Sequence, residues 1–251
     1  KVHLVTSAIN VEKDLHTCLE KAGVSVIDFV LEPLASAHSI LDKNERKLGV
    51  ILVDIGGGTT DVIVYHDFGV LHAGTVPIGG SNITYDIAYG VQTTLEQAEQ
   101  LKCKYGSAKS ALADPEENIN ITGTNGRGSK IISCKLLAEI IEPRMDEIFR
   151  LVKNEIRKSD FIGDYTFGIV LTGGGSALEG MAEIAEQIFD LPVRRGSPLG
   201  VRGLTDHIDN PAFSTAVGLV MYAHRIHVID KEQTPVRVLD RVWTMLRSFL
   251  S

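Results

Sequence analysis

"DIGGGTTDVIVY" (Asp54–Tyr65) follows directly on the apolar run "LGVILV" (Leu48–Val53). Together they read as two strands joined by a loop of three glycines and two threonines between two carboxylates. A hairpin turn needs one or two residues of positive φ, which one or two glycines supply. Three exceed that need. With no Cβ in the way, the backbone at Gly56, Gly57 and Gly58 can approach a bulky anion and aim its N–H groups at it. Thr59 and Thr60 add hydroxyl donors. Asp54 and Asp61 bracket the loop, and a carboxylate beside a polyphosphate suits a hydrated Mg²⁺. Alone, the stretch admits both a structural turn and a phosphate-binding loop.

A second stretch bears on that choice. "IVLTGGGSALEGM" (Ile169–Met181) reads as a strand, then Gly173, Gly174 and Gly175, then a helix opened by Ser176. Free N–H groups and the helix dipole make such a turn an anion site. Any β–α turn can use glycine, so the second loop is weak alone. Two such loops, both on strand ends, are more specific.

Outward from the loops, "VHLVTS" reads as a short strand and Val11–Gly23 as a helix with a glycine stop. "VSVIDFVLEP" alternates and is β-branched, which predicts a strand ending at Pro33. "LASAHSIL" is a small-residue helix expected to pack closely on a neighbour. A third strand covers Val70–Gly79, and Ser81–Tyr105 is helical in pattern. "ENINITGTNGRGSKIISC" predicts a hairpin around Asn125-Gly126. Lys135–Ser159 is helical but broken at Pro143, with a second helix starting near Glu142. "AFSTAVGLVMYAHRI" is another small-residue helix, and a short helix ends the sequence. Strands and helices alternate, with a mainly helical block inserted after Ser81: an α/β architecture carrying a smaller α+β subdomain.

Composition narrows the function classes. The 251 residues carry a net charge of -7, which disfavours bulk nucleic-acid binding. Three scattered cysteines without ligand spacing point to a reduced, cytoplasmic setting. No apolar run approaches the roughly 18 residues of a membrane span. His224 and His227 lie three apart without a carboxylate pattern to complete a metal site.

These residues resemble the actin-like ATPase superfamily, whose ribonuclease H-like fold is shared by sugar kinases and heat-shock chaperones. "DIGGGTTD" is similar to its second phosphate loop and "LTGGGSALEG" to its adenosine motif. "EPLASAHS" and "AFSTAVGLV" resemble its two connecting helices. Within the superfamily, "DIAYG", "AEQLKCKYG", "LLAEIIEPRMDEI", "GLTD" and "STAVGL" resemble the FtsA family of bacterial cell-division proteins, in its order. That resemblance implies that the first phosphate loop, most of subdomain 1A and nearly all of subdomain 1C lie upstream of Lys1. Residues 1–47 would end the first domain. Subdomain 2A would comprise 48–80 and 166–228, subdomain 2B 81–165, a linker 229–236 and a terminal amphipathic helix 237–251.

The resemblance implies ATP and Mg²⁺ as cofactors. Gly56, Gly57, Gly58, Thr59 and Thr60 would meet phosphate, Asp54 would lie near the metal and take part in catalysis, and Gly173, Gly174 and Gly175 would turn against adenosine. Glu99 and Lys102 would reach the ribose and adenine; the plain alternative is a surface ion pair three residues apart on one helix. Glu32 has two readings, an acid at a helix start or a carboxylate that orders the hydrolytic water. At most weak ATPase activity is expected.

In "EPRMDEIF", Arg144 and Glu147 fall three apart in what reads as the first turn of a helix. The resemblance implies here a groove for the C-terminal tail of FtsZ, the tubulin-like ring protein. It also implies self-association into filaments, contacts with other division proteins, and a peripheral position on the cytoplasmic face of the membrane at the division site. The tail "TPVRVLDRVWTMLRSFLS" aligns Leu239, Val242, Trp243, Leu246, Phe249 and Leu250 on one helical face, flanked by arginines. Such a helix lies in a membrane interface or docks on its own domain. The competing readings are a pilus-assembly adaptor of the PilM kind, without a terminal membrane helix, and a kinase of the same superfamily.

Overall fold

The structure is a computed structural model that describes residues 4, 6, 8–121, 128–159, 165–201 and 208–233. Five strands form its main sheet: β1 (Val50–Ile55), β2 (Thr60–His66), β3 (Gly69–Val76), β6 (Ile169–Thr172) and β7 (Val193–Arg195). They lie in the order β3-β2-β1-β6-β7. The first three strands run antiparallel as a meander, and β6 and β7 add in parallel beside β1. β1 is buried throughout, as its continuous apolar run requires of a central strand covered on both faces.

One face carries α4 (Gly80–Gly90), α5 (Leu95–Tyr105), α6 (Cys134–Arg157) and α7 (Met181–Phe189). Val53, Ile55, Val62 and Val64 pack there with Ile83, Leu101, Ile141, Met145 and Phe149. A short hairpin of β4 (Asn118–Ile121) and β5 (Lys130–Ser133) precedes α6. The turn expected at Asn125-Gly126 lies outside the described residues. On the opposite face Leu52, Ile63, Tyr65 and Val170 meet Ala37 and Ile40 of α2 (Glu32–Ile40). α8 (Ser214–Gln233) crosses α2 so closely that a Cβ at Gly218 would lie 1.8 Å from Ala35 O. The small residues of both helices make that approach possible.

Several expectations need correction. Residues 24–30 form no strand, and Ile27 is 98% exposed. An alternating pattern becomes a strand only where a neighbour supplies ladder hydrogen bonds, and no described strand lies beside this segment. α2 starts at Glu32, with Pro33 in its first turn. α1 (Ile9–Lys21) does end before a left-handed Gly23.

Nor does Pro143 break a helix, since α6 runs unbroken for 24 residues. An interior proline costs about 3 kcal/mol. Leu137, Ile141, Met145, Ile148, Val152 and Ile156 are all buried along the opposite stripe, and each such side chain contributes roughly 1.5–3 kcal/mol. Burial wins, and Pro143 sits on the exposed side. A short α3 (Lys43–Leu48), unforeseen, is opened by an Asp42/Glu45 capping box; Asp-x-x-Glu was the available signal. α8 continues to Gln233, so the linker expected from residue 229 is helical at its start. The terminal helix 237–251, with the six apolar residues of its expected face, lies outside the described residues, as does most of the expected first strand.

Candidate functional site

The β1–β2 register pairs Asp54 with Asp61 and Ile55 with Thr60. Gly56–Thr59 is therefore the connecting loop, closed by Gly56 N–H donating to Thr59 O at 2.9 Å. Among the described residues, the N–H groups of Gly57 and Gly58 find no protein acceptor. A loop with free backbone donors suits an anion.

Parallel pairing sets Asp54 beside Thr172 and so carries the second glycine loop to the end of β1. Gly173 has φ +80°, and a Cβ there would lie 2.3 Å from Asp54 Oδ1. Only glycine fits between the two strands' ends. The helix expected to open at Ser176 does not. Gly174–Ala177 is a single 3-10 turn, and α7 begins at Met181 after a left-handed Gly180. Ser176 is buried and donates to Gly173 O at 2.8 Å. The positive end of α7 is thus set off from the loop, whose shape comes from its own turn.

Asp54 is 4% exposed, and its Oδ2 accepts from Ser36 Oγ of α2 at 2.6 Å. Ser36 Oγ in turn lies 2.9 Å from Thr215 Oγ1 of α8. Burial raises the Asp54 carboxyl above its ordinary range, the Ser36 hydrogen bond opposes this, and Asp61 adds to it. Glu32, exposed at the start of α2, is raised by partial burial and by the charges of Asp61 and Asp54. Asp61 accepts from Thr75 Oγ1 at 2.5 Å and Thr59 Oγ1 at 3.3 Å. Three carboxylates therefore gather near the first loop without a cationic partner among the described residues. Among the described residues no group of three or more such side chains is placed to hold a metal ion.

Of the two loop threonines, only Thr59 remains near the surface. Thr60 is fully buried and donates its hydroxyl to Ile78 O at 2.8 Å. Alternation along β2 turns it inward, which takes it out of the ligand-binding set.

α4 closes the site from the side, in a way the sequence reading missed. Gly80 N–H donates to Gly56 O at 2.9 Å and Ser81 N–H to Gly57 O at 2.8 Å. Gly79 is pressed so close that a Cβ would sit 2.7 Å from the carbonyl oxygens of both Gly56 and Gly57. The glycine pair in "PIGGS" just before a helix was the signal. Glu99 and Lys102 stand on α5 with an ion pair of 2.6 Å. Burial pushes the Glu99 carboxyl up, but hydrogen bonds from Lys102 and Thr84 outweigh it and hold it below its ordinary range.

Between these parts lies a cavity of about 310 Å³, lined by Gly56, Gly57, Gly174 and Gly175 together with Ile83, Cys103 and Leu178. Glu99 and Lys102 line it as well. Its lining thus combines glycine backbone with apolar side chains. A larger cleft of about 390 Å³ runs between α6 and α7, but most of its charged groups are already engaged. Arg150 pairs with Asp146, and Lys153 donates to Ile188 O. The glycine-lined cavity is the better candidate.

Arg144 stands in the middle of α6, not in a first turn. Its guanidinium grips Asp86 of α4 through two hydrogen bonds, Nε to Oδ2 at 2.6 Å and Nη2 to Oδ1 at 2.9 Å, and also pairs with Glu147. Asp86, 58 residues away in sequence, gave no local signal. Ser36 and Thr215, which orient around Asp54, gave none either.

The fold that carries this site belongs to a recognisable class. Solved structures similar to this chain include MreB5 of Spiroplasma citri bound to AMPPNP, with a TM-score of 0.74 and 17% identity over 90% of this chain and 68% of that one. The MamK double helical filament follows with a TM-score of 0.63, 20% identity, and coverage of 87% and 66%. The PilM-PilN type IV pilus biogenesis complex scores 0.62 at 18% identity, covering 84% and 57%. The fold is that of the actin-like ATPases.

The particular family follows from sequence. The family model described as "Cell division protein FtsA" matches residues 51–218, and the chain belongs to that family. The FtsA protein of Pseudomonas aeruginosa is 46% identical over 222 residues, covering 88% of this chain and 53% of that protein. That of Escherichia coli (strain K12) is 36% identical over 254 residues, covering 98% and 60%. The chain thus spans between about half and three-fifths of the length of these relatives.

Proposed function

We propose that this chain is the nucleotide-binding, membrane-directed part of an actin-like cell-division protein. In this reading it polymerises on the cytoplasmic membrane at the division site and anchors the FtsZ ring there. The observation that carries the reading is the convergence of the Gly56–Gly58 and Gly173–Gly175 loops on Asp54 beside one cavity. ATP suits this lining, with phosphates at Gly56–Gly58, adenosine against Gly173–Gly175, and the Glu99 and Lys102 pair toward the ribose and adenine. Solved relatives of the fold hold ADP and AMPPNP. Residues 48–80 and 166–228 would form one subdomain and 81–165 the other.

Glu32, Asp54 and Asp61 lack cationic partners among the described residues, which fits a cation nearby. Mg²⁺ would be held by Asp54 through its coordinated water and would neutralise phosphate charge when bound. Glu32 is the residue we assign to ordering water. It is exposed, and hydrolysis in this reading is weak.

Arg144 and Glu147 would receive the acidic tail of FtsZ. Because Asp86 already holds the Arg144 guanidinium, the tail would meet it preset in orientation. Arg144→Glu is expected to weaken binding of an FtsZ tail peptide more than tenfold, the loss of one charge-assisted contact of about 1.5–3 kcal/mol, with nucleotide affinity unchanged. Fluorescence anisotropy with labelled peptide measures it. An unchanged dissociation constant would make Arg144 a fold-holding residue only.

No helix among the described residues is long and apolar enough to cross a membrane. Attachment in this reading rests on Leu239, Val242, Trp243, Leu246, Phe249 and Leu250. An isolated short helix is marginal in water, and anionic lipid supplies both an apolar partner and roughly 1 kcal/mol per nearby arginine. Trp243 is the sole tryptophan. Its emission should shift to the blue on adding anionic liposomes, and Trp243→Glu should release the protein from them. Emission already blue without lipid and unmoved by it would mean that the helix docks on protein.

A further inference from the structure

Five hydroxyl groups lie together where α2 and α8 meet the ends of β1 and β6. Ser36, Ser39, Thr172 and Ser214 are buried, and Thr215 is half-buried beside them. The close approach of the two helices does not call for them, because Ala35 and Gly218 supply the small residues at the crossing. Burying a hydroxyl is costly unless it is hydrogen-bonded, so the partners of these five decide their use.

Three of them fix the start of α8. Ser39 Oγ donates to Ser214 O at 2.7 Å, with Ser36 O at 2.9 Å as a second acceptor within reach. Thr172 Oγ1, at the end of β6, lies 2.7 Å from Ser214 Oγ. Thr172 is also the register partner of Asp54. Anchoring Ser214 there brings its neighbour Thr215 to the Asp54 carboxylate.

The other two hydroxyls converge on a single oxygen. Ser36 Oγ donates to Asp54 Oδ2 at 2.6 Å, and Thr215 Oγ1 lies 2.9 Å from Ser36 Oγ and 3.4 Å from the same Oδ2. A serine hydroxyl carries one proton. With that proton on Oδ2, Ser36 can only accept from Thr215, so the chain runs one way, from Thr215 to Ser36 to Asp54. Among the described residues nothing donates to Oδ1. That oxygen lies toward the second glycine loop, 2.3 Å from where a Cβ on Gly173 would stand. The carboxylate is thus held by one oxygen and open at the other.

We propose that Ser36, backed by Thr215, is a positioning residue for Asp54, occupying Oδ2 so that Oδ1 is presented to the water shell of a divalent cation accompanying the nucleotide phosphates. This rests on the nucleotide reading above, and its test separates the cation from the nucleotide. Without the Ser36 hydroxyl the carboxylate is free to turn about its last torsion, which disturbs the cation and leaves the nucleoside contacts alone.

ADP affinity of the intact protein is measured by titration calorimetry, first in EDTA and then over a series of Mg²⁺ concentrations. Ser36→Ala should change affinity in EDTA less than twofold, and should raise the Mg²⁺ concentration that gives half of the full gain at least fivefold. Thr215→Val, which removes one hydroxyl at nearly constant shape, should move that midpoint the same way by a smaller factor. Thr215→Ser, which keeps the hydroxyl, should return it to the wild-type value. The Thr215 pair carries the test if Ser36→Ala does not fold. A midpoint unmoved in both hydroxyl-deleted variants would overturn the proposal and leave the nucleotide reading in place. So would a fall in affinity that is equal with and without Mg²⁺, which would make Ser36 a packing contact only. A wild-type ADP affinity indifferent to Mg²⁺ would overturn it too. Wild-type protein that binds no ADP in either condition would sink the nucleotide reading and the proposal with it.

Discussion

Valine in place of Gly57 is expected to remove nucleotide binding while leaving thermal unfolding where it was. A Cβ at this position would find only Ser81 Oγ, at 3.7 Å, an ordinary contact, so the protein itself tolerates a side chain. The branched γ-carbons would instead occupy the space through which a phosphate reaches the free N–H groups of Gly57 and Gly58. Losing two charge-assisted hydrogen bonds, each about 1.5–3 kcal/mol, lowers affinity beyond a hundredfold. Gly79→Ala provides the contrast, because its Cβ would sit 2.7 Å from two carbonyl oxygens. That variant should lose binding and stability together. Titration calorimetry beside a melting curve separates the two, and equal nucleotide affinity in wild type and Gly57→Val would overturn the phosphate-loop assignment.

The second large effect is on stability. Gly218→Ala puts a methyl group 1.8 Å from Ala35 O, so α2 and α8 must move apart. Overpacking of this kind costs typically 1–3 kcal/mol. For a chain of this size each kcal/mol lowers Tm by about 2–4 °C, giving an expected fall of roughly 2–12 °C. The separation would also loosen the Ser36–Thr215 contact that bears on Asp54, so nucleotide affinity should drop alongside Tm. Gly58→Ala, with nothing within 4 Å, is the control that should leave Tm unchanged. A Gly218→Ala protein melting with wild type would show that the helices are not held at contact distance.

Much of the site was legible because its parts are local. Gly56–Gly58 and Gly173–Gly175 each lie in one short stretch, and their composition alone signals close backbone approach. Asp54 was legible as the last polar residue of an apolar strand. Where the reading failed, competing partners decided. Thr60 lies one residue from Thr59, but strand alternation buries it on Ile78 O. Ser176 has the composition of a helix N-cap, yet its hydroxyl turns back to Gly173 O. The segment at residues 24–30 has a strand's pattern and no described strand to pair with.

By itself the sequence determined the α/β class, the central buried hairpin, both glycine loops and the FtsA-family motifs, since each depends on residues near one another in the chain. Tertiary structure alone decided that Asp54 is clasped by Ser36 and that Ser36 meets Thr215, 179 residues away. It decided that Pro143 lies within a continuous helix, because the burial of a whole apolar stripe outweighs one lost hydrogen bond. It also decided that Arg144 answers to Asp86 and that Lys102 donates to Gly80 O. A side chain's hydrogen-bonding partners are set by which elements pack against it, and the spacing of residues along one helix carries no information about the helix that will lie across it.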